Sequence, residues 1–288
     1  MRRVTWSWPS ATGQDGGVRA LITPTELAGL AEAPVLLDVR WRLAGPPAVE
    51  DYRAGHLPGA VFVDLDRDLA DEPGEGGRHP LPAPQRLRAA LRAAGVRRNH
   101  PVVAYDAGDG STAARAWWLL RWAGHEQVAV LDGGYAAWTA EGRPVSTEVP
   151  TPEPGDVEVS PGHMPVLSAE EAAELARTGV LLDARAPERY RGDVEPIDPR
   201  AGHIPGAVNA PFSGHIGPDG RWRAPAELAE RFAELKVEPG QVGAYCGSGV
   251  TASSVVLALE VAGLGTAPLY AGSWSHWCVD PERPVEIG

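Results

Sequence analysis

Apolar residues fall along this chain in short, nearly unbroken runs separated by longer stretches with helical spacing. The runs at 35–39, 60–63, 102–105 and 128–131 have strand length, and their continuous apolar character predicts strands buried on both faces. Thr23-Pro24-Thr25-Glu26 and Ser168-Ala169-Glu170-Glu171 each read as a capping box opening an amphipathic helix, the first with proline at the favoured first helical position. Strands alternating with helices predict an α/β fold, a mostly parallel sheet with helices on both faces. Ligands of such sheets bind beyond the carboxyl ends of the strands.

The pattern occurs twice. Leu36-Leu37-Asp38-Val39-Arg40 recurs as Leu181-Leu182-Asp183-Ala184-Arg185, and Ala54-Gly55-His56-Leu57-Pro58-Gly59-Ala60-Val61 recurs as Ala201-Gly202-His203-Ile204-Pro205-Gly206-Ala207-Val208. Gly133-Gly134-Tyr135-Ala136-Ala137-Trp138 is matched by Gly272-Ser273-Trp274-Ser275-His276-Trp277. A period this long means two copies of a whole domain. We divide the chain into a first domain, 1–145, a Pro-rich linker, 146–165, and a second domain, 166–288. The first fifteen or so residues carry no periodic pattern and read as an extension.

Chemistry concentrates at 244–263, Ala-Tyr-Cys-Gly-Ser-Gly-Val-Thr followed by an Ala, Ser, Val and Leu-rich run that Gly263 stops. This predicts strand, turn and helix, with Cys246 on the turn. Gly247 and Gly249 let the backbone curl with N–H groups pointing inward, and the helix start adds more N–H groups and the positive end of its dipole. Helix N-termini lower a thiol pKa from about 8.5 into a range of roughly 3.5 to 7.5, so this is a reactive-cysteine loop. Ala104-Tyr105-Asp106 is the first-copy counterpart of Ala244-Tyr245-Cys246, so one copy carries an acid where the other carries the thiol.

Composition narrows the partners. The 288 residues are 43% hydrophobic and carry a net charge of −12, without the basic clusters that nucleic acid or an acidic membrane surface needs. Two cysteines make no disulfide framework and fit a reducing compartment. No apolar run has secretory or membrane-spanning form, which makes the expected location cytoplasmic. A small anionic substrate remains open if arginines are focused locally.

With these motifs the chain resembles the tandem-domain rhodanese and mercaptopyruvate sulfurtransferase family. The resemblance runs from about 21 to 284 and rests on the two Gly-His-x-Pro-Gly-Ala motifs, the Asp-x-Arg strand ends, the Asp-Gly-Gly-Tyr and Gly-Ser-Trp turns, and Cys246-Gly247-Ser248-Gly249-Val250-Thr251-Ala252. It implies a catalytically inactive first domain, with Asp106 at the cysteine position, and an active second one. It implies that Cys246 takes sulfur from a small anionic donor as a persulfide and passes it to a thiol or cyanide, with no cofactor and no metal. Gly247, Gly249, Val250 and Thr251 would line the donor. Cys-Gly-Ser-Gly-Val-Thr looks like the mercaptopyruvate branch, whereas the thiosulfate branch tends to Cys-Arg-Lys-Gly-Val-Thr, with two cations for a dianion. By the same resemblance Arg189 matches the first of two arginines that hold the donor carboxylate, and Arg200 is the candidate second. Ser248 would pair with a first-domain histidine, matched to His56, and an acid. Pro47 or Ala48 stands about where that acid is expected, which leaves Glu50 or Asp51.

Other readings compete. His56 and His203 share one motif in both copies, which also suits a common structural task such as bonding a turn. Arg189 also reads as a solvated helix-end charge. Cys278, in an aromatic tail without such a loop, reads as structural. Trp117, Trp118 and Trp122 read as core and interdomain packing. A phosphatase of related fold would need Cys-x5-Arg, but Ala252 stands at the arginine position. Thiosulfate:cyanide sulfur transfer and a non-catalytic sulfide carrier are the remaining alternatives.

Overall fold

The computed structural model describes residues 19–288, and the extension expected at the N-terminus lies outside them. Five strands, β1 (Leu21–Ile22), β2 (Val35–Asp38), β3 (Val61–Phe62), β4 (Val102–Tyr105) and β5 (Val128–Leu131), form one parallel sheet in the order β1-β5-β4-β2-β3. Their continuous apolar runs fit, because β4 and β5 are buried along their whole length between helices. A second sheet, β6 (Val180–Asp183), β7 (Val208–Asn209) and β8 (Val242–Tyr245), has the parallel order β7-β6-β8.

Beyond β8 the second sheet continues only as isolated parallel bridges, Ala244 to Leu269 and Leu269 to Val166. These occupy the places that β5 and β1 hold in the first sheet. Pro165 and Pro268 precede the bridging residues, and a proline removes the N–H that would extend the ladder. Both capping boxes form. The Thr23 hydroxyl accepts from the Glu26 N–H at 3.2 Å while the Glu26 carboxylate accepts from the Thr23 N–H at 2.9 Å, and Ser168 and Glu171 repeat the exchange.

Each cysteine-position loop feeds a helix, Ser111–Trp122 after β4 and Ala252–Val261 after β8. Both helices are apolar almost all round because each is wrapped by its own sheet and by the other helix. Trp117 and Trp118 are fully buried here, and one apolar cluster runs through both copies from Leu37 and Val102 to Val242 and Leu257. Arg121 and Glu260 pair across the helices at 2.9 Å. Packing these helices side by side sets the starts of both, and so both loops, at the seam between the copies. Residues 146–165 run along the first copy, with Gly155 donating to the Arg92 carbonyl and Ser160 to that of Ala123. A Cβ on Gly155 would fall 1.9 Å from the Val96 carbonyl oxygen, so only glycine fits this approach.

One buried titratable group makes the fold acid-sensitive. His215 is fully buried, stacked near Trp222 at 6.1 Å, and neither ring nitrogen has a hydrogen-bond partner. Burial first, with the Arg231 charge adding, pushes its pKa down to about 3. An unfolded imidazole titrates near 6.5, so the unfolded chain binds the extra proton between those values. Stability is therefore full above pH 6.5 and falls as pH drops towards about 3. The slope approaches about 1.4 kcal/mol per pH unit for this one group. Replacing the ring with a benzene of similar shape, His215→Phe, should flatten the dependence of the urea midpoint on pH between 6.5 and 4.5. An unchanged slope would rule His215 out as its source.

Candidate active site

Cys246 follows β8 and is 2% exposed. Its sulfur accepts the Gly249 N–H at 3.1 Å. Gly249 has φ +79°, and a Cβ there would lie 2.4 Å from the Ala271 carbonyl oxygen, so the curl needs glycine. The turn 272–275 holds the loop from outside. The Trp274 and Ser275 N–H groups donate to the carbonyls of Cys246 and Gly247, both at 2.9 Å, and the Ser273 hydroxyl accepts the Cys246 N–H at 3.1 Å. With these carbonyls held outward, the Gly249 N–H turns in to the sulfur. Thr251 stands at the helix start without a side-chain capping bond, and Val250 is buried beside it.

The first copy displays the same cradle around a carboxylate. The Asp106 carboxylate accepts the N–H groups of Gly108, Gly110, Thr112 and Ala113 at 3.0 to 3.1 Å, and the Thr112 hydroxyl besides. Burial first, and then neighbouring Asp109, raise its pKa against the pull of the N–H donors.

Ser248 meets a histidine from the first copy, but not the expected one. His79 Nδ1 lies 2.7 Å from the Ser248 hydroxyl, and His79 Nε2 lies 3.0 Å from an Asp66 carboxylate oxygen. The other Asp66 oxygen accepts the Trp41 indole N–H at 3.0 Å, and the Trp41 ring stands edge-on to His79 at 5.5 Å. An ionised carboxylate can only accept, so Nε2 carries the proton and Nδ1 accepts from Ser248. Burial, followed by the Arg115 and Arg78 charges, outweighs the pull of Asp66 and lowers the His79 pKa to about 4, leaving the ring neutral at pH 7.

His56 is placed elsewhere. Its Nδ1 faces the Tyr52 carbonyl at 2.7 Å, its Nε2 faces that of Glu148 at 3.0 Å, and its ring stacks on Tyr52 at 4.0 Å. His203 repeats this, with Nδ1 2.7 Å from the Tyr190 carbonyl and stacking at 3.7 Å. The shared motif thus performs one structural task in both copies, and the expected pairing of His56 with Ser248 is replaced by His79. Nor does Glu50 or Asp51 serve as the acid. Asp51 pairs with Arg42, and Asp66 takes the place beside the histidine. Gly74, Gly76 and Gly77 make a turn, bridged between Gly74 and Gly77, just before Arg78 and His79, which meet Asp198 and Ser248 of the second copy, a pairing that no local signal announces.

Arginines gather at the loop. Arg189 and Arg78 both reach over Gly247, where an added Cβ would lie 3.5 Å and 3.1 Å from their guanidinium nitrogens. Arg200 is not among them, because its guanidinium donates to the carbonyls of Asp280 and Arg283 at 3.0 and 3.1 Å. Arg115 lies fully buried behind the loop. It donates to the Gly249 carbonyl at 3.3 Å and to those of Leu69, His79 and Pro80. Its clue was a charge flanked by apolar residues in mid-helix, Ala113-Ala114-Arg115-Ala116-Trp117. Cys278 is buried, with its pKa raised first by burial. A cavity of about 470 Å³ lined by Thr23, Asp132 and Trp222 contains none of these groups. Among the described residues no three His, Cys, Asp or Glu side chains are grouped to hold a metal ion, and no helix is long and apolar enough to cross a membrane.

Two parallel-sheet copies, with a cysteine cradle in one and an acid in its counterpart, define a tandem rhodanese fold, and the chain matches the rhodanese-like domain family over residues 23–141 and 168–280. It belongs to that family. It is 47% identical, over 93% of its own length and 98% of the relative's, to the Pseudomonas aeruginosa protein named "Probable 3-mercaptopyruvate sulfurtransferase". It is 33% identical to the thiosulfate sulfurtransferase of Azotobacter vinelandii, over 93% and 97% of the two chains. The crystal structure of SseA from Escherichia coli, described as a 3-mercaptopyruvate sulfotransferase, superposes with a TM-score of 0.79 at 30% identity, over 90% of this chain and 100% of that one. The chain is thus a sulfurtransferase.

The two histidines should separate function from stability. His79→Asn should lower turnover roughly a hundredfold, the low end of proton-transfer catalysis, with little change in melting temperature. His56→Asn should lower the melting temperature and leave turnover within about threefold, since it removes buried bonds worth roughly 1–3 kcal/mol. Steady-state rates and thermal melts on both variants decide it. A reversed pattern would restore His56 to the site.

Proposed function

We propose that this sulfurtransferase takes sulfur from 3-mercaptopyruvate onto Cys246 and passes it from the persulfide to a thiol or to cyanide. The observation that carries this reading is the line from Ser248 through His79 to Asp66, with contacts of 2.7 and 3.0 Å across the two copies. Only one candidate donor needs it.

The Cys246 thiolate attacks the donor sulfur, the new S–S bond forms as the C–S bond breaks, and the carbon leaves with the electron pair as the enolate of pyruvate. The proton on the donor thiol must travel to that carbon. It passes to Ser248 as the Ser248 proton moves to His79 Nδ1, where Asp66 stabilises the imidazolium, and it returns to the enolate by the same route. Charge and hydrogen balance without an outside proton, leaving Cys246 as the persulfide anion. Cyanide or a thiolate then takes the outer sulfur and frees the Cys246 thiolate. Thiosulfate requires no proton step, because its outer sulfur transfers as sulfite departs with the S–S bond pair.

In this reading Gly249 N–H and the cradle hold the sulfur, Gly247 leaves room for the donor, Val250 and Thr251 shape the helix start beside it, and Arg189 binds the donor anion. Asp106, already bonded by its own cradle, makes the first copy a support without sulfur chemistry. The division into domains at 145 and 166 is supported by the two family matches, residues 23–141 and 168–280. Two free cysteines, one of them the carrier, suit a reducing, cytoplasmic setting.

Thiosulfate is a second reading with its own support. We expected the loop to lack charge for a dianion, yet Arg78 and Arg189 flank Gly247. The proton argument separates the donors. Ser248→Ala should lower kcat/KM for mercaptopyruvate about a hundredfold and change thiosulfate by no more than about threefold. Cys246→Ser should abolish both, and Cys278→Ser neither. Parallel steady-state kinetics with the two donors measure this, and an equal loss on both would discard the proton relay.

A further inference from the structure

Five charged side chains meet above the cysteine loop, and they are not equivalent. Glu195 is fixed, since its carboxylate accepts the N–H groups of Ile197 and Asp198 at 3.1 Å and Arg189 at 2.6 Å, with Arg185 3.6 Å away. Asp198 has no such backbone anchor among the described residues. One of its oxygens bonds Arg78 and the other accepts Arg189 at 3.2 Å. Its side chain is only 4% exposed, yet everything that compensates its charge is these two guanidiniums, which are also the two groups over Gly247. Arg78 is aimed there by its backbone, whose N–H donates to the Ser275 hydroxyl at 3.0 Å, within the turn that clamps the loop.

We propose that Arg78 of the first copy and Arg189 of the second form one anion-binding fork for the sulfur donor, and that Asp198 sits in it as a resident carboxylate that the donor displaces. The ligands it fits are small carboxylates or oxyanions able to bridge two guanidiniums, and the inference rests on the reading that the donor is such an anion. A bridging anion would also tie the two copies together over the loop, as Asp198 does now. A Cβ on Gly247 would lie 3.1 Å from the Arg78 guanidinium, which would have to give slightly, and at ordinary contact distance, 3.5 Å, from that of Arg189.

The test is binding of pyruvate, a sulfur-free α-keto carboxylate, to the intact protein by isothermal titration. Arg78→Gln should weaken pyruvate binding about tenfold or more, with Arg78→Lys retaining part of it. Asp198→Asn should strengthen binding severalfold, because the competitor is gone while the fork remains. Unchanged affinity in Arg78→Gln, or weaker binding in Asp198→Asn with an unchanged melting temperature, would overturn the proposal. Because no sulfur is transferred, this outcome is separate from donor kinetics. Failure of both donors to load Cys246 would refute the functional reading while the pyruvate titration still judged the fork.

Discussion

A fully buried guanidinium with no carboxylate beside it holds the site together. Arg115 rises from the helix Ser111–Trp122 into the seam between the copies, and its two terminal nitrogens donate to four backbone carbonyls, while its Nε has no hydrogen-bond partner. Burial lowers its pKa, but only to about 10, so it stays charged at neutral pH, and Cys246 is the group that pulls it back up. Burying a cation this way costs several kcal/mol, and the cost is offset only while all the carbonyls stay in place. Three of those carbonyls belong to the first copy, at Leu69, His79 and Pro80, and one to the cysteine loop at Gly249. The charge thus fixes the backbone of the histidine and the backbone of the nucleophile loop against each other.

The two copies have divided one device. The first loop turns four amides to Asp106, the second turns the Gly249 amide to Cys246, and both lead into buried helices that pack on each other. In the first copy the cradle is filled by the Asp106 carboxylate. In the second, the corresponding position carries the Cys246 sulfur. Duplication with one cradle filled by a carboxylate leaves a single loop cysteine in a chain with two similar halves. The filled half is then free to contribute what the other lacks, which is His79 with its Asp66 and Trp41 partners, and Arg78.

That division also bears on donor choice. Loop letters alone suggested a site with little positive charge, suited to a monoanion. The neighbouring copy changes this by bringing a guanidinium to the loop, while two buried acids, Glu195 and Asp198, offset part of the charge. Local charge here is the sum over two copies and a segment some fifty residues before the cysteine, so reading a donor from six loop residues omits most of the field.

What was legible beforehand was whatever depends on near neighbours in the chain. Buried parallel strands show as apolar runs, capping boxes act within four residues, and the curl at Gly249 needs glycine wherever the loop lies. The repeat, the strand-turn-helix around Cys246 and the family resemblance followed from such local signals. Even the structural task of His56 was readable, because the same motif surrounds His203 and both rings bond a tyrosine carbonyl, Tyr52 four residues before one and Tyr190 thirteen before the other. The relay was not. Ser248 and His79 are 169 residues apart, and Arg78 and Asp198 are 120 apart. Nothing local separates a histidine that bonds its own turn from one pushed across a domain seam by a glycine turn. Only the packing of the helices Ser111–Trp122 and Ala252–Val261 sets the copies at the angle that makes those pairs, because the contact buries apolar area from both and no single stretch of chain encodes it.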